Sequence, residues 1–243
     1  MTDPEDLAAP ATSGFRGVTF PEQGSFRVNF GVDSAGEMVL GSSPMYEVRT
    51  DIWQHWYDIA RTHTGLARDA RARNPGLDDS AGFGPAVVDE MRLALVAVTA
   101  AAFSLEAFHT SVLQHLPGVH IHADSADGRV HQTLLRAFQL SNNRSKEARD
   151  IMRQVFRLRD YGVHPKAAWV VPVLHEAFHN AMDPKYVAFS VENAEAATRF
   201  AHELLWHCLQ HPRPQHPELV AWCAAMKQHI STDEDGESAA TDT

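Results

Sequence analysis

The sequence has little cysteine, few basic residues for its acidic content and no long apolar run. Its two cysteines, Cys208 and Cys223, are spaced like neither a zinc knuckle nor a disulfide framework, and both fall in helical patterns. They are therefore predicted to be core thiols in a reducing compartment. The first residues have neither the basic nor the apolar region of a secretory signal, and we expect no secretion. The most apolar stretch, residues 93–105, is shorter than the roughly 20 residues of a membrane span, so we expect a cytoplasmic protein without a membrane anchor.

Acidic residues outnumber basic ones, 31 to 21, for a formal net charge of −10 at pH 7. This balance excludes a protein that coats nucleic acid indiscriminately, because phosphate binding depends on Lys and Arg replacing counterions. Any nucleic-acid site must be local. Part of the negative charge lies in residues 231–243, among Ser, Thr, Gly and Ala, a composition typical of a disordered tail. Residues 1–14 are also predicted to be disordered.

Residues 15–45 have the pattern of a β-hairpin. Phe26, Val28 and Phe30 alternate with polar or small residues, and the turn-forming residues 33–36 separate this run from a second one at residues 37–40. The hairpin is predicted to be an appendage to the main domain.

Residues 46–230 are predicted to form a helical bundle, in which a 44% apolar composition allows a substantial core. The first helix runs from Tyr46 to about Arg73, with Ile52, Trp56 and Ile59 on one side, and residues 74–76 stop it. The longest helix covers residues 86–116. After the helix predicted at residues 145–161, the chain up to residue 190 is predicted to be strand-like or irregular. The other predicted helices span residues 129–140, 145–161, 191–210 and 217–230.

The helix predicted at residues 145–161 has two distinct faces. Its apolar face consists of Ile151, Met152, Val155, Phe156 and Leu158. Its basic stripe, which we interpret as a candidate RNA-binding surface or alternatively as a solvated face, consists of Lys146, Arg149, Arg153 and Arg157.

The stripe leads into the run Arg159, Asp160, Tyr161, Gly162, Val163, His164. Arg159 lies partly toward the core side of the helix, where a guanidinium needs a partner or a function. Gly162 and Pro165 are predicted to end the helix, which would leave His164 at a helix-to-loop junction where a side chain can approach a ligand. We interpret this run as the best candidate for chemistry.

This run resembles the motif of ribonucleases in the HEPN superfamily (higher eukaryotes and prokaryotes nucleotide-binding), in which Arg, a polar residue and a few variable residues precede His. The small-residue-rich segment at residues 101–108 is similar to the first helix of these bundles, and the resemblance covers roughly residues 87–210. It implies a helical bundle that cleaves RNA as a homodimer, with an antitoxin or another regulatory protein as a partner. One toxin subgroup has Tyr two residues after the His, where this chain has Lys166.

The proposed chemistry needs no metal or other cofactor, because RNA carries its own nucleophile, the 2′-hydroxyl. His164 can exchange a proton in the transition state, while Arg159 can stabilise the phosphate oxygens. Asp160 would orient one of these two side chains. The products would be 2′,3′-cyclic phosphate ends.

Two alternatives remain open. In the first, Arg159 and Asp160 form a structural ion pair, His164 caps the helix, and the protein is a non-catalytic binding or dimerisation module. In the second, His175, Glu176 and His179 form the H-E-x-x-H signature of zinc peptidases, with two histidines one helical turn apart and a glutamate that activates water. Only about ten residues there could be helical, and the third ligand could be Glu192 or Glu195 on the next helix, neither of which the sequence singles out.

Overall fold

A computed structural model describes residues 18–19, 25–32, 38–45, 49–73, 80–164 and 169–231. The chain divides into two compact units, Met1–Asp51 and Ile52–Thr243. The two tails that were predicted to be disordered, residues 1–14 and 231–243, lie outside the described residues except for the end of the last helix at Ser231.

The described residues of the first unit form four strands, β1 (Val18–Thr19), β2 (Ser25–Val32), β3 (Met38–Met45) and β4 (Arg49–Thr50). Strands β2 and β3 pair antiparallel, with Ser25 opposite Met45 and Val32 opposite Met38, and β1 pairs with β4. The hairpin predicted from the alternation of Phe26, Val28 and Phe30 is therefore present, and its second strand continues five residues beyond the predicted end at Leu40. The turn between the two strands lies outside the described residues.

The second unit is mainly helical, as the periodicity predicts. Its elements are α1 (Trp53–Ala72), α2 (Ser80–Leu113), α3 (Ala126–Ala137), α4 (Asn142–Val163), β5 (Val173–His175), β6 (Asn180–Met182), α5 (Pro184–Ala188), α6 (Val191–Gln210) and α7 (Pro217–Ser231).

Helix α1 begins seven residues later than its sequence pattern suggests, at Trp53 rather than Tyr46, because Arg49 and Thr50 pair with β1 instead. The later start also changes the buried face. Trp53 is fully buried and packs edge-on against Phe108 at 5.3 Å, whereas Ile52, predicted to lie on the apolar side, is exposed.

Helix α2 is the central element and packs against α1, α3, α4, α5 and α6. Alanines are frequent on its buried surface, and such small side chains allow neighbouring helices to approach closely. By length and composition alone, Gly84–Leu113, a longer segment than residues 93–105, is long and apolar enough to cross a membrane. Half of the qualifying segment is buried inside the bundle, and core helices share these properties. After α2, Gly118 adopts a φ of +75°, a conformation that favours glycine.

Helices α3 and α4 each begin three residues earlier than predicted because a serine caps each N-terminus. Ser125 Oγ accepts a hydrogen bond from the Gly128 N–H at 3.2 Å, and Ser141 Oγ accepts one from the Arg144 N–H at 3.4 Å. These caps satisfy N–H groups that have no partner within the helix.

The two cysteines are free thiols buried in the core, as predicted. Cys208 lies on α6 and Cys223 on α7. Burial raises the pKa of the Cys223 thiol to about 12 and the pKa of the Cys208 thiol well above its ordinary value. Both side chains are therefore neutral thiols at physiological pH and pack as small apolar groups.

Candidate functional site

Arg159 lies near the end of α4 and is held by two carboxylates. Its Nη1 donates to Glu106 Oε2 at 2.7 Å, and its Nε and Nη2 donate to Asp160 Oδ1 at 3.0 and 2.8 Å. Only 13% of the Arg159 side chain is exposed. The core-side position predicted for this residue is therefore observed, and its partners are acidic side chains.

Two aromatic rings complete the surroundings of the Arg159 guanidinium. The guanidinium carbon lies 4.7 Å from the centroid of Phe156 on α4 and 5.9 Å from the centroid of Phe103 on α2. Such contacts favour the cation electrostatically. A guanidinium has five N–H donors, of which the described carboxylates use three. No acceptor among the described residues binds the other two donors, which can serve an additional acceptor.

His164 lies at the C-cap of α4, the junction at which the sequence places it. Its backbone N–H donates to the Asp160 carbonyl at 2.9 Å, and its side chain is exposed. Asp160 thus contacts both predicted catalytic residues, Arg159 through its carboxylate and His164 through its carbonyl. Among the described residues, no hydrogen bond joins the Arg159 and His164 side chains directly.

Gly162 does not end α4, contrary to the sequence-based prediction, since the helix continues through it to Val163. A Cβ at this position would clash with Leu95 Cδ1 on α2 and would approach Phe189 Cζ to 3.0 Å. Phe189 also stacks on Tyr161, with 6.0 Å between ring centroids. A larger residue here would require the side chains of Leu95 and Phe189 to shift, so glycine allows the last turn of α4 to pack closely against them.

The predicted basic stripe is largely accessible. Lys146, Arg149 and Arg157 are exposed, whereas Arg153 is half-buried. Arg153 lies within salt-bridge distance of two carboxylates, Asp127 at 3.9 Å and Asp150 at 3.7 Å. Three of the four cations are therefore presented to solvent along α4.

The H-E-x-x-H residues do not lie on one α-helix, so the helical arrangement predicted for them by the zinc-peptidase alternative is wrong. His175 ends β5, Glu176 starts a single 3-10 turn, and His179 adopts a left-handed conformation with φ +49° before β6. The signature requires both histidines on one face of a continuous helix. In the part of the chain that the structure describes, no three His, Cys, Asp or Glu side chains are grouped to hold a metal ion.

His175 is instead a packing residue. Its side chain is buried against the Phe178 ring at 4.5 Å, and Phe178 in turn lies 4.8 Å from the Arg71 guanidinium. Burial lowers the pKa of His175, and the positive charge of Arg71 lowers it further. The neutral imidazole is therefore the form that the fold favours.

A second polar cluster, not predicted from the sequence, is an ion-pair network around Arg71. Arg71 on α1 binds the buried Glu90 of α2 through two hydrogen bonds and Glu192 of α6 at 2.9 Å. Glu90 Oε1 also accepts from the Val191 N–H at 3.1 Å, at the start of α6. One feature of the sequence could have indicated this network, because Glu90 lies on the same face of α2 as the apolar residues Val87 and Ala94. This network joins three helices away from Arg159.

A shallow pocket beside Arg159 was also missed. It has a volume of about 260 Å³ and is lined by Trp56, Phe103, Glu106, Ala107 and Thr110. The rings of Trp56 and Phe103 lie 5.0 Å apart, tilted by 59°. Phe103 and Glu106, both on α2, also contact Arg159, so the guanidinium adjoins the pocket wall.

No protein-family model, curated protein or solved structure matches this chain.

Proposed function

We propose that the protein is a metal-independent endoribonuclease of the HEPN type, with Arg159 and His164 as its catalytic residues. The observation that carries the proposal is the ion pair between Glu106 and Arg159. It joins the two stretches on which the sequence resemblance rests, residues 101–108 and the run from Arg159 to His164.

The reaction is an internal transesterification. The ribose 2′-oxygen forms a bond to phosphorus, the bond from phosphorus to the 5′-oxygen breaks, and the electron pair leaves with that oxygen. His164, exposed at the end of α4, accepts the 2′-hydroxyl proton. The two remaining N–H donors of Arg159 bind the non-bridging oxygens as negative charge develops. The products are a 2′,3′-cyclic phosphate and a 5′-hydroxyl.

The leaving 5′-oxygen also needs a proton, and it departs on the side opposite the attacking 2′-oxygen. A single His164 cannot serve both sides at once. We propose a homodimer in which the second copy contributes the other His164 to a shared cleft, in a cytoplasmic protein controlled by an antitoxin or another regulatory protein.

The basic residues of α4 are the proposed RNA-binding surface. Lys146, Arg149 and Arg157 are exposed on the helix that ends at His164. Arg153 belongs to the same stripe, although Asp127 and Asp150 offset part of its charge. Phosphate contacts along α4 would therefore direct the RNA backbone toward the Arg159 end of the helix.

A second candidate function is a non-catalytic binding or dimerisation module. The observation in its favour is that the same guanidinium is mostly buried and bound by Glu106 and Asp160. In this case Arg159 holds α4 against α2, and His164 only caps the helix.

The test is incubation of the full chain with a random-sequence single-stranded RNA pool in EDTA. We expect cleavage to cyclic phosphate ends by the wild type and a decrease of about 100-fold or more for Arg159→Ala and for His164→Ala. Matched controls are Arg92→Ala and His55→Ala, because both residues are exposed and lie outside the site. Circular dichroism checks that each variant is folded.

Three outcomes would contradict the ribonuclease. They are absence of cleavage by the wild type, loss of cleavage in EDTA, and cleavage that survives both site substitutions. RNA binding without cleavage would support the non-catalytic candidate instead.

A further inference from the structure

The shallow pocket of Trp56, Phe103 and Glu106 has no role in the cleavage chemistry described above. Trp56 belongs to α1 and lies outside residues 87–210, the part of the chain that resembles the ribonuclease family. The resemblance therefore makes no prediction about this pocket, and its chemistry must be derived from the lining side chains.

The pocket walls are aromatic. Trp56 and Phe103 are both partly exposed, and their rings meet at 5.0 Å between centroids. Aromatic faces of this kind bind unstacked nucleobases in single-stranded RNA, because every base has a flat π surface to stack. The pocket is shallow and open to solvent, which suits a base attached to a continuing strand.

The polar group of the pocket is the Glu106 carboxylate. Its Oε2 accepts from Arg159 at 2.7 Å, whereas Oε1 accepts no hydrogen bond from any residue that the structure describes. A carboxylate can only accept, so its free oxygen selects a ligand with a donor. Adenine, cytosine and guanine each carry an exocyclic amino group. Uracil has carbonyl oxygens in those places, which repel a carboxylate, and its remaining N3–H donor lies between those two oxygens.

The pocket and the proposed catalytic arginine are adjacent. The Arg159 guanidinium carbon lies 5.9 Å from the Phe103 centroid and binds the same carboxylate that lines the pocket. A base stacked on Phe103 therefore lies within reach of a phosphate bound at Arg159.

We propose that Trp56, Phe103 and Glu106 form a subsite for one unstacked nucleobase with an exocyclic amino group, next to the phosphate bound by Arg159. This inference rests on the proposed ribonuclease function and adds base specificity to it. The enzyme then cleaves beside adenine, cytosine or guanine in preference to uracil.

The test separates binding from cleavage by using 2′-O-methylated oligonucleotides, which lack the nucleophile. Fluorescence anisotropy measures the dissociation constants of labelled oligo-A, oligo-C and oligo-U for the full chain. We expect oligo-A and oligo-C to bind about tenfold more tightly than oligo-U. Trp56→Leu should weaken oligo-A and oligo-C by about tenfold, because a stacking surface is lost. Trp169→Leu is the matched control, since Trp169 is fully exposed outside the pocket.

Two further variants address specificity and folding. Glu106→Gln should remove the preference over oligo-U, because an amide can also donate to uracil oxygens; the ratio of affinities isolates this effect from any weakening at Arg159. Thr110→Leu fills the pocket from an exposed helical position, and it should also weaken oligo-A and oligo-C even if Trp56→Leu fails to fold.

The outcomes distinguish this inference from the proposed function. The base subsite is overturned, even if the wild type cleaves RNA, by any of three results. These are equal affinity for the three oligonucleotides, an unchanged preference in Glu106→Gln, and unchanged affinity for oligo-A and oligo-C in Thr110→Leu. A preference that depends on Glu106, together with binding that depends on Thr110, supports the subsite. If these results are obtained without any RNA cleavage, the proposed ribonuclease activity is contradicted but the base subsite is not.

Discussion

The Arg159 guanidinium donates a 2.7 Å hydrogen bond to Glu106, a residue 53 positions earlier in the chain. This contact fastens α4 to α2 at the candidate site. We expect Glu106→Gln to lower the free energy of unfolding by about 1 kcal/mol, because Arg159 is mostly buried and keeps only Asp160 as an anionic partner. Urea denaturation measures the change.

A double-mutant cycle with Arg159→Met separates the pair from the individual side chains. The control is the exposed pair of Arg92 and Asp89 at 3.7 Å, for which we expect a coupling energy near zero. If the coupling between Glu106 and Arg159 is as small as that of the control pair, then the contact does not hold α4 in place.

Gly162 provides a test of close packing at the end of α4. We expect Gly162→Ala to destabilise the protein by about 1–3 kcal/mol, because the added methyl group meets Leu95 and Phe189 and this cost exceeds the gain in helix propensity. The midpoint of thermal unfolding should decrease accordingly.

Gly65→Ala is the matched control. Gly65 is also helical, but a Cβ there meets no atom within 4 Å, and we expect a gain of about 0.5–1 kcal/mol. A similar gain in both variants would show that the approach of Leu95 and Phe189 does not constrain position 162.

Glu192 makes stability depend on acid pH. Burial alone would raise the pKa of this carboxyl, but hydrogen bonds from Arg71 and Ser190 and the charge of Arg71 outweigh burial and lower the pKa to about 2. As the pH falls, the Glu192 carboxyl therefore binds a proton in the unfolded state before it does so in the folded state. The stabilisation from Glu192 is present above pH 4.5 and is lost as the pH falls from 4.5 to about 2.

We expect Glu192→Gln to lower stability at pH 7 and to flatten the pH dependence between pH 4.5 and about 2, as measured by urea denaturation at each pH. Glu203→Gln, an exposed position on the same helix, controls for the loss of one charge. An acid profile that stays as steep in Glu192→Gln as in the wild type would exclude this role.

His175 makes stability depend on pH in a range above that of Glu192. Burial and the charge of Arg71 lower its pKa, although Glu90 and Glu192 act in the opposite sense. The unfolded state therefore takes up a proton before the folded state does, and stability falls as the pH decreases through 6.5.

His175→Leu should reduce this loss between pH 7 and 5.5 while keeping an apolar contact with Phe178. It also removes a buried Nδ1 that has no hydrogen-bond partner in the described structure. Some pH dependence should remain, because burial also lowers the pKa values of His109, His131 and His207. Stability profiles that coincide for variant and wild type would contradict the prediction.

Much of the helical architecture could be predicted from local patterns. Both ends of α6 agree with the prediction, because Ser190 precedes a strongly periodic run and Pro212 follows it closely. The early starts of α3 and α4 were missed because the apolar period begins later than the capping serines. The late start of α1 had no local signal, since the pairing of β4 with β1 depends on residues about thirty positions away.

The candidate site was predictable only in part. The end of α4 at His164 follows from the sequence, because helix stops are local. The partner of Arg159 does not, since Glu106 reaches it only when α2 and α4 pack together. The aromatic pocket was missed for the same reason, because Trp56 and Phe103 are on different helices.

The sequence by itself determined the mainly helical class, the hairpin pattern, the two core thiols and the position of Arg159 and His164 near a helix end. These properties depend on periodicity, composition and short-range capping. Only the tertiary structure decided that Glu106 neutralises Arg159, that Gly162 lies inside α4 beneath Leu95 and Phe189, and that the H-E-x-x-H residues form a hairpin. These outcomes depend on contacts between segments far apart in the chain, which no local pattern specifies.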